Sequence, residues 1–326
     1  MNTQKIETAF TKQFDIDYPI VCAPMFLVST EDLVTSVNNA GGLGTFPALN
    51  FRPIENYRKA IKDIKSQTDK AFGINIIVQK SNKYQQDQID IALEENVPLI
   101  ITSLGNPGKV IRLAHQTNTK VFCDVVGLEH AKKVTDLGAD GLIAVGSGAG
   151  GHAGDISLFV LIPYLIRHTK LPVLAAGGIS DGLGMAAAFA LGASGVYVGT
   201  RFIASKEAEV DEKYKQSILN AISEDIVNTD KVDGFPGNFI STDALKKLGL
   251  KKGLLEEIFS KSKKIKKGIA LSRAARSLLA KDNSKVSYKT IFSAGHGVGL
   301  IDKVLSVEEI IQSMVNEYHK IKTQLP

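Results

Sequence analysis

Tryptophan is absent from the 326 residues, and cysteine occurs only twice. Cys22 and Cys123 lie in separate apolar runs, so the sequence has no CxxC pair and no cysteine spacing typical of a metal site. The first seven residues, MNTQKIE, are polar, which argues against a signal peptide. No apolar run approaches the length of a membrane span. We therefore expect a soluble cytoplasmic protein with two buried thiols and no bound metal.

The charge balance restricts the choice of partners. The formal net charge is +5, and lysines are concentrated between residues 246 and 267. No aromatic-interleaved basic motif accompanies them, so a basic surface that attracts an anionic substrate is a better interpretation than a nucleic-acid interface. We expect a small-molecule partner, with no nucleic acid and no membrane, and the sequence leaves a homodimer open.

Short apolar runs rich in β-branched residues recur within residues 1–205. Eight of them are candidate strands, at 20–23, 43–46, 72–77, 99–102, 121–125, 141–145, 173–176 and 195–198. Amphipathic, helix-like segments lie between them. Eight repeats of strand and helix, with strands apolar on both faces, predict an α/β fold of the (β/α)8 TIM-barrel type. An open, doubly wound sheet is the alternative.

The repeat stops after Ala204. Residues 206–290 are lysine-rich, show helical periodicity and contain no convincing strand, so we expect a helical lid or insertion over the barrel mouth. Residues 291–326 return to glycine-rich loop chemistry and end in an amphipathic helix over 306–321. The expected organisation is therefore a barrel over 1–205, a helical insertion over 206–290 and a returning segment over 291–326.

The most informative stretch is 146–154, which holds five glycines and one imidazole directly after an apolar run. Glycine removes the Cβ and permits positive φ, so this backbone can lie close to a flat or charged ligand. His152 then stands beside that ligand as a candidate base. The alternative is a flexible surface turn with a bystander histidine.

Two further strand ends carry a pattern suited to phosphate. In TIM barrels, functional groups gather at the carboxyl ends of the strands, and the loops after strands seven and eight often hold a phosphate. Gly177 and Gly178 follow the seventh candidate strand, and Gly199 and Thr200 follow the eighth. No Walker lysine accompanies them, so nucleoside triphosphate hydrolysis is not indicated. Asp124 ends the fifth strand, where it either contacts a polar ligand or caps the turn.

Taken in order, these motifs resemble the nitronate monooxygenase family, formerly called 2-nitropropane dioxygenases. The similar segments are 23–25 (APM), 40–44 (AGGLG), 73–75 (GIN), 149–154 (AGGHAG), 175–179 (AAGGI), 199–202 (GTRF) and 294–297 (AGHG). They cover nearly the whole chain. Flavin-dependent enoyl-acyl-carrier-protein reductases and a group of NADH:quinone reductases share this scaffold and most of these motifs.

The resemblance implies an FMN-bound barrel in which His152 is the active-site histidine. By the same resemblance, cofactor-binding residues are expected at the strand ends and in the glycine-rich loops: Ala23, Pro24, Met25, Asn75, Gly150, Gly151, Gly177, Gly178, Gly199 and Thr200. Asp124 and Ala176 are expected to bind the cofactor because of their positions at strand ends. Among these, 23–25 would line the flavin ring and Asn75 would bond near its polar edge. Gly150 and Gly151 would pack close to the isoalloxazine.

The activity implied is the oxidation of a nitronate or nitroalkane with O2, giving a carbonyl compound and nitrite. A histidine that titrates near neutral pH can abstract the α-proton of a nitroalkane or hold the anionic nitronate. Two alternatives stay open. One is an NAD(P)H-dependent flavin reductase of enoyl thioesters or quinones, and the other is a flavin-binding protein without turnover.

Two positions depart from the family pattern. Gly148 stands where the family often has a glutamate before the histidine motif, and His296 stands at the position of a glutamine. The first change removes a carboxylate from the loop. The second adds an imidazole, so His296 is a candidate substrate contact.

Overall fold

Eight parallel strands form a closed barrel in the computed structural model, which describes residues 4–232, 234–247 and 291–324. Each strand pairs with its neighbour in the barrel, and the first pairs with the last through Ile20 and Val196. The barrel strands are β1 Ile20–Cys22, β2 Leu43–Pro47, β3 Gly73–Ile77, β4 Leu99–Ser103, β5 Lys120–Val125, β6 Gly141–Val145, β8 Val173–Ala176 and β9 Gly195–Val198. The predicted TIM barrel is confirmed. The open sheet is excluded because its two edges are joined.

Helices follow most of the barrel strands and cover the outside of the sheet. In the described residues they are α1 Ala9–Phe14, α2 Glu31–Asn39, α3 Ile54–Gln67, α4 Gln85–Glu94, α5 Gly108–Ala114, α6 Leu128–Asp136, α7 Leu158–His168, α8 Gly182–Ala190, α9 Thr200–Ile203, α10 Glu212–Asn220, α11 Asp243–Lys247 and α12 Val307–Lys322. Side chains of Thr30, Ser157 and Asp181 accept hydrogen bonds from the first turns of α2, α7 and α8, which satisfies otherwise unpaired N–H groups.

The apolar strands supply two separate layers of core. Alternate residues point inward, where Val21, Leu99 and Leu174 belong to one buried cluster inside the barrel, and the intervening residues pack outward against the helices. Phe10 and Phe14 of α1 join the inner cluster against Phe122, with ring centroids 5.8 and 5.9 Å from it. Because α1 precedes β1, it closes the amino-terminal end of the barrel.

A small antiparallel sheet lies beside the barrel. Its strands are β7 Gly151–His152, β10 Ile226–Thr229 and β11 Gly237–Ile240, in the order β10–β11–β7. The expectation that 206–290 contains no strand is therefore wrong for its described part. These strands are short, and β11 pairs with β7, which is far away in sequence, so no local periodicity reveals them. Residues 248–290, with most of the lysine cluster, lie outside the described residues, and the three-part organisation stays a prediction.

The returning segment closes the outer layer. The helix expected over 306–321 is α12, and Ser306 forms a capping box with Glu309 at its start. The Glu207 carboxylate accepts the Val307 N–H at 3.0 Å, and the Glu317 carboxylate accepts the Gly182 N–H at 2.8 Å. These bonds attach α12 to the chain after α9 and to α8. Within the described ranges, no helix is long and apolar enough to cross a membrane.

Candidate functional site

The first wall of the barrel mouth comes from the ends of β1 and β9. The Ala23 N–H donates to the Val198 carbonyl at 2.9 Å, which continues the pairing of the two strands beyond β1. A Cβ at Gly199 would lie 3.7 Å from Met25 Sδ and 3.8 Å from Ala23 Cβ. Asn50 donates its amide to the Met25 carbonyl at 3.1 Å and so holds the loop. The predicted residues at 23–25 and 199 are thus neighbours.

Three polar side chains form a continuous hydrogen-bonded row across β3, β4 and β5. The Asn75 amide donates to Ser103 Oγ at 2.6 Å, and the Ser103 hydroxyl donates to Asp124 Oδ2 at 2.5 Å. The row follows from the register, because parallel strands of a barrel bring their carboxyl ends to the same edge. Asn75 and Asp124, predicted from separate motifs, therefore lie in one network.

The other oxygen of Asp124, Oδ1, has no hydrogen-bond partner among the described residues. This oxygen is also buried. Burial raises the pKa of Asp124 to about 6, although the hydrogen bond from Ser103 and the attraction of His152 both lower it. Burial also raises the pKa of Tyr197 well above its usual range, with a further contribution from the charge of Asp124. A buried carboxyl oxygen without a donor is suited to a ligand that brings one.

The two phosphate-type loops present free donors. Gly177 and Gly178 have φ values of +131° and +73°, which a residue with a side chain rarely adopts. The backbone N–H groups of Gly178, Gly199 and Thr200 donate to no acceptor among the described residues. Thr200 Oγ1 accepts the Gly295 N–H at 3.0 Å, which leaves its hydroxyl hydrogen available. These donors are chemically suited to an anion.

Backbone contacts explain several glycines of 146–154. A Cβ at Gly150 would lie 2.7 Å from the Gly295 nitrogen, and a Cβ at Gly295 would lie 2.4 Å from the Gly148 oxygen. The His296 N–H donates to that same Gly148 oxygen at 3.1 Å. On the side where a Cβ would point, Gly150 is therefore packed against protein backbone, and its contact with a cofactor stays a prediction. At Gly151, by contrast, a Cβ would meet nothing within 4 Å, and φ is +65°.

His152 stands on β7, at the end of the glycine-rich loop. It is opposite Gly237 of β11, and its exposed ring meets the ring of Phe235 edge-on, with centroids 5.7 Å apart. Phe235 belongs to the turn between β10 and β11. The histidine is thus held by the small sheet while its electrostatic partner, Asp124, belongs to the barrel.

His296 begins a short 3-10 helix, His296–Leu300, and its side chain is exposed. The contacts that place it are made by its backbone: its N–H donates to Gly148, and its carbonyl accepts the Ser223 hydroxyl at 2.8 Å. The structure therefore brings His296 to the same loop that carries His152. Its role toward a substrate stays a prediction.

Sequence reasoning named Ser103 only as a strand-end residue without a specific role, and it did not name Tyr197, Phe235 or Asn238 as site residues. Ser103 is the central member of the polar row, and Tyr197 belongs to the barrel interior near Asp124. Phe235 contacts His152, and Asn238 bonds to the loop before it. The strand-end position was a usable signal for Ser103. No local signal marks Asn238 or Phe235, because the small sheet is assembled from distant segments.

Within the described residues, no group of three or more His, Cys, Asp or Glu side chains could hold a metal.

A closed barrel with anion donors and polar side chains gathered at its carboxyl end is the arrangement of a TIM-barrel enzyme. The profile of the nitronate monooxygenase family matches residues 7–317. The chain belongs to this family.

Three similar proteins illustrate the range of its relatives. FabK from Thermotoga maritima is 34% identical, with a TM-score of 0.83 and 98% of each chain covered. A (3aS,4S,5R,7aS)-5-hydroxy-7a-methyl-1-oxo-octahydro-1H-indene-4-carboxyl-CoA dehydrogenase from Rhodococcus jostii is 30% identical, with 95% of each chain covered. A probable nitronate monooxygenase from Staphylococcus saprophyticus is 30% identical over 75% of this chain and 81% of its own length.

Proposed function

We propose that the chain is an FMN-dependent nitronate monooxygenase, which oxidises small alkyl nitronates with O2 to carbonyl compounds and nitrite. The observation that carries the proposal is that a histidine and a set of free anion donors border the same end of one barrel. The loop before His152 is bonded to the returning segment through Gly148, and that segment is bonded to Thr200 through Gly295. Membership of the family supports the same activity.

The residues at this end fit FMN. Free N–H groups at Gly178, Gly199 and Thr200 suit the phosphate, with Gly177 and Ala176 leading into that loop. The apolar wall suits the ring, and the buried oxygen of Asp124, which has no donor among the described residues, suits a donor on it. The wall consists of Ala23, Pro24 and Met25, and Asn75 completes the polar row.

His152 is the residue that we assign to the substrate. Its ring is exposed at the mouth, so a small molecule can reach it. Neutral imidazole takes the α-proton of a nitroalkane, and charged imidazole holds the anionic nitronate. When bound, the flavin would supply the redox chemistry between the nitronate and O2. The Phe235 ring gives one side of the substrate space an apolar surface.

Anaerobic mixing tests the proposal. The purified protein is expected to show a flavin spectrum, and propyl-2-nitronate is expected to bleach it as fast as turnover requires. His152→Asn, with the same flavin content, is the matched control and should bleach far more slowly. Bleaching by NADH or NADPH at the turnover rate, with none by nitronate, contradicts the proposal.

A thioester substrate is the second candidate. The observation that favours it is the relative named as a CoA-thioester dehydrogenase, which aligns over 95% of both chains. A saturated acyl-CoA would place a weakly acidic α-carbon near His152, as a nitroalkane does, whereas reduction of an enoyl-CoA would require a proton to be delivered to that carbon. The same bleaching experiment, repeated with NADPH followed by an enoyl-CoA and separately with a saturated acyl-CoA, distinguishes reduction from dehydrogenation.

A further inference from the structure

Asn238 makes an unusual set of bonds for a residue outside the barrel. Its side-chain amide donates to the Ser147 carbonyl at 2.9 Å and to the Ala149 carbonyl at 2.7 Å. Its side-chain oxygen accepts the Asn228 amide at 3.0 Å. The residue is only 2% exposed, so these bonds are made away from water, where an unmade bond is costly.

The backbone of Asn238 is used as well. It is opposite Gly151 in the pairing of β11 with β7, and its carbonyl accepts the Ala294 N–H at 3.3 Å. One residue of β11 therefore contacts three segments. These are the loop after β6, the strand β7 that carries His152, and the returning segment. No other described residue bonds to both carbonyls, 147 and 149, of the loop.

The loop itself has few means of holding a shape. Residues 146–154 include five glycines and two alanines, so side chains of the loop contribute little packing. β7 has only two residues, and the ring of His152 is exposed. The position of His152 therefore depends on contacts that other segments make with this loop.

We propose that Asn238 is the positioning residue for His152, acting through the Ser147 and Ala149 carbonyls and through β7. The proposal rests on the proposed function, in that His152 is the group that acts on the substrate. Asn238 does not touch the substrate. Its loss leaves the donors of the phosphate-type loops and the wall at 23–25 in place, so flavin is retained while the histidine is misplaced.

Asn238→Ala is the test, and Asn38→Ala is its matched control. Asn38 is also buried, at 1% exposed, and accepts the Gly44 N–H at 2.7 Å, but it lies at the amino-terminal end of the barrel. Both variants lose a buried amide, and only Asn238→Ala is expected to lower kcat, by roughly 10- to 100-fold, with KM changed less than about threefold. Hydrogen exchange of the peptide spanning 146–154 should accelerate in Asn238→Ala alone.

A double variant separates positioning from general damage. In the His152→Asn background, Asn238→Ala is expected to cause no further loss in the anaerobic rate of flavin reduction, because both changes remove the same contribution. The proposal is overturned if Asn238→Ala lowers the reduction rate of the His152→Asn protein by the same factor as it lowers that of the wild type. It is also overturned if Asn238→Ala alone leaves kcat unchanged, or if it loses flavin without faster hydrogen exchange of the 146–154 peptide. If nitronate fails to reduce the flavin of the wild-type protein, the proposed function fails. The exchange measurement then decides alone whether Asn238 holds the loop.

Discussion

Among single residues, Asp124 connects the barrel to the candidate histidine. It accepts a bond from Ser103, is attracted by His152 and keeps one buried oxygen without a donor. Burial disfavours its charged form, which is why its pKa rises to about 6 from 3.8. The folded state therefore binds the proton more tightly than the unfolded chain does.

The sign of this shift gives a stability prediction for Asp124→Asn. The stability associated with protonated Asp124 is fully present below about pH 4 and is lost as the pH rises through about 6. The Asn side chain does not titrate, so the variant does not lose this stability as the pH rises. Its free energy of unfolding relative to wild type should therefore increase by up to about 3 kcal/mol between pH 4 and pH 8. Urea unfolding of flavin-free protein measures it. A difference in the free energy of unfolding that is the same at pH 4 and pH 8 contradicts the raised pKa of Asp124. Asp155→Asn is the control for the loss of one negative charge.

His152→Asn is the second prediction that concerns a single side chain. The change keeps a polar side chain on β7 but removes the proton acceptor, so turnover of a neutral nitroalkane, which must lose its α-proton, should fall by roughly 10²- to 10⁴-fold. Flavin content, measured by the absorbance ratio of the bound flavin to protein, should stay unchanged because the phosphate-type loops are separate from β7. Equal turnover by the variant would make His152 a bystander.

Among the structural elements, the glycine-rich loops pack against one another. The loop after β6 meets the returning segment backbone to backbone at Gly150 and Gly295, and a Cβ at Gly177 would lie 2.7 Å from the Ala149 nitrogen. Three loops from distant parts of the chain therefore fit together only because their side chains are absent.

Gly150→Ala tests this packing. The added methyl group would meet backbone rather than a flexible side chain, so the loops must separate, at a cost of about 1–3 kcal/mol. Gly127→Ala is the control, since nothing lies within 4 Å of a Cβ there. Thermal unfolding and flavin content are compared for both. A Gly150→Ala protein as stable as the control would contradict the contact.

At the scale of the whole molecule, one end of the barrel is closed in the described residues by α1. Phe10 of α1 is fully buried against Phe122, so the amino-terminal end is filled by aromatic side chains. Ligand access is thus confined to the carboxyl end, where every candidate residue lies.

Phe10→Ala separates stability from chemistry. The lost ring leaves a cavity at the closed end, so the free energy of unfolding should fall by about 3–5 kcal/mol. Turnover per flavin-loaded molecule at low temperature should stay unchanged, because the site lies at the other end of the barrel. Unfolding by urea and steady-state rates measure the two effects. A matching fall in turnover would show that the two ends are coupled.

Much of the barrel was predictable from the sequence, and less of the site was. Strand runs such as 141–145 are recognised because each strand is apolar on both faces, a property of neighbouring residues. Asn75 and Asp124 were predicted from strand ends, but the bond that joins them passes through Ser103. The strands β10 and β11 were missed, since both are short and β11 also depends on pairing with β7, about 85 positions earlier in the chain.

The order of residues along the chain was enough to specify the barrel, the glycine-rich loops and the histidine after the sixth barrel strand. These features depend on local periodicity, turn chemistry and residue type. Their surroundings emerged only on folding: the backbone that fills the space at Gly150, the Phe235 ring against His152 and the Asn238 amide on the loop. These contacts join segments far apart in the chain. Closure of the barrel and the pairing of β11 with β7 determine them, and no local pattern records either.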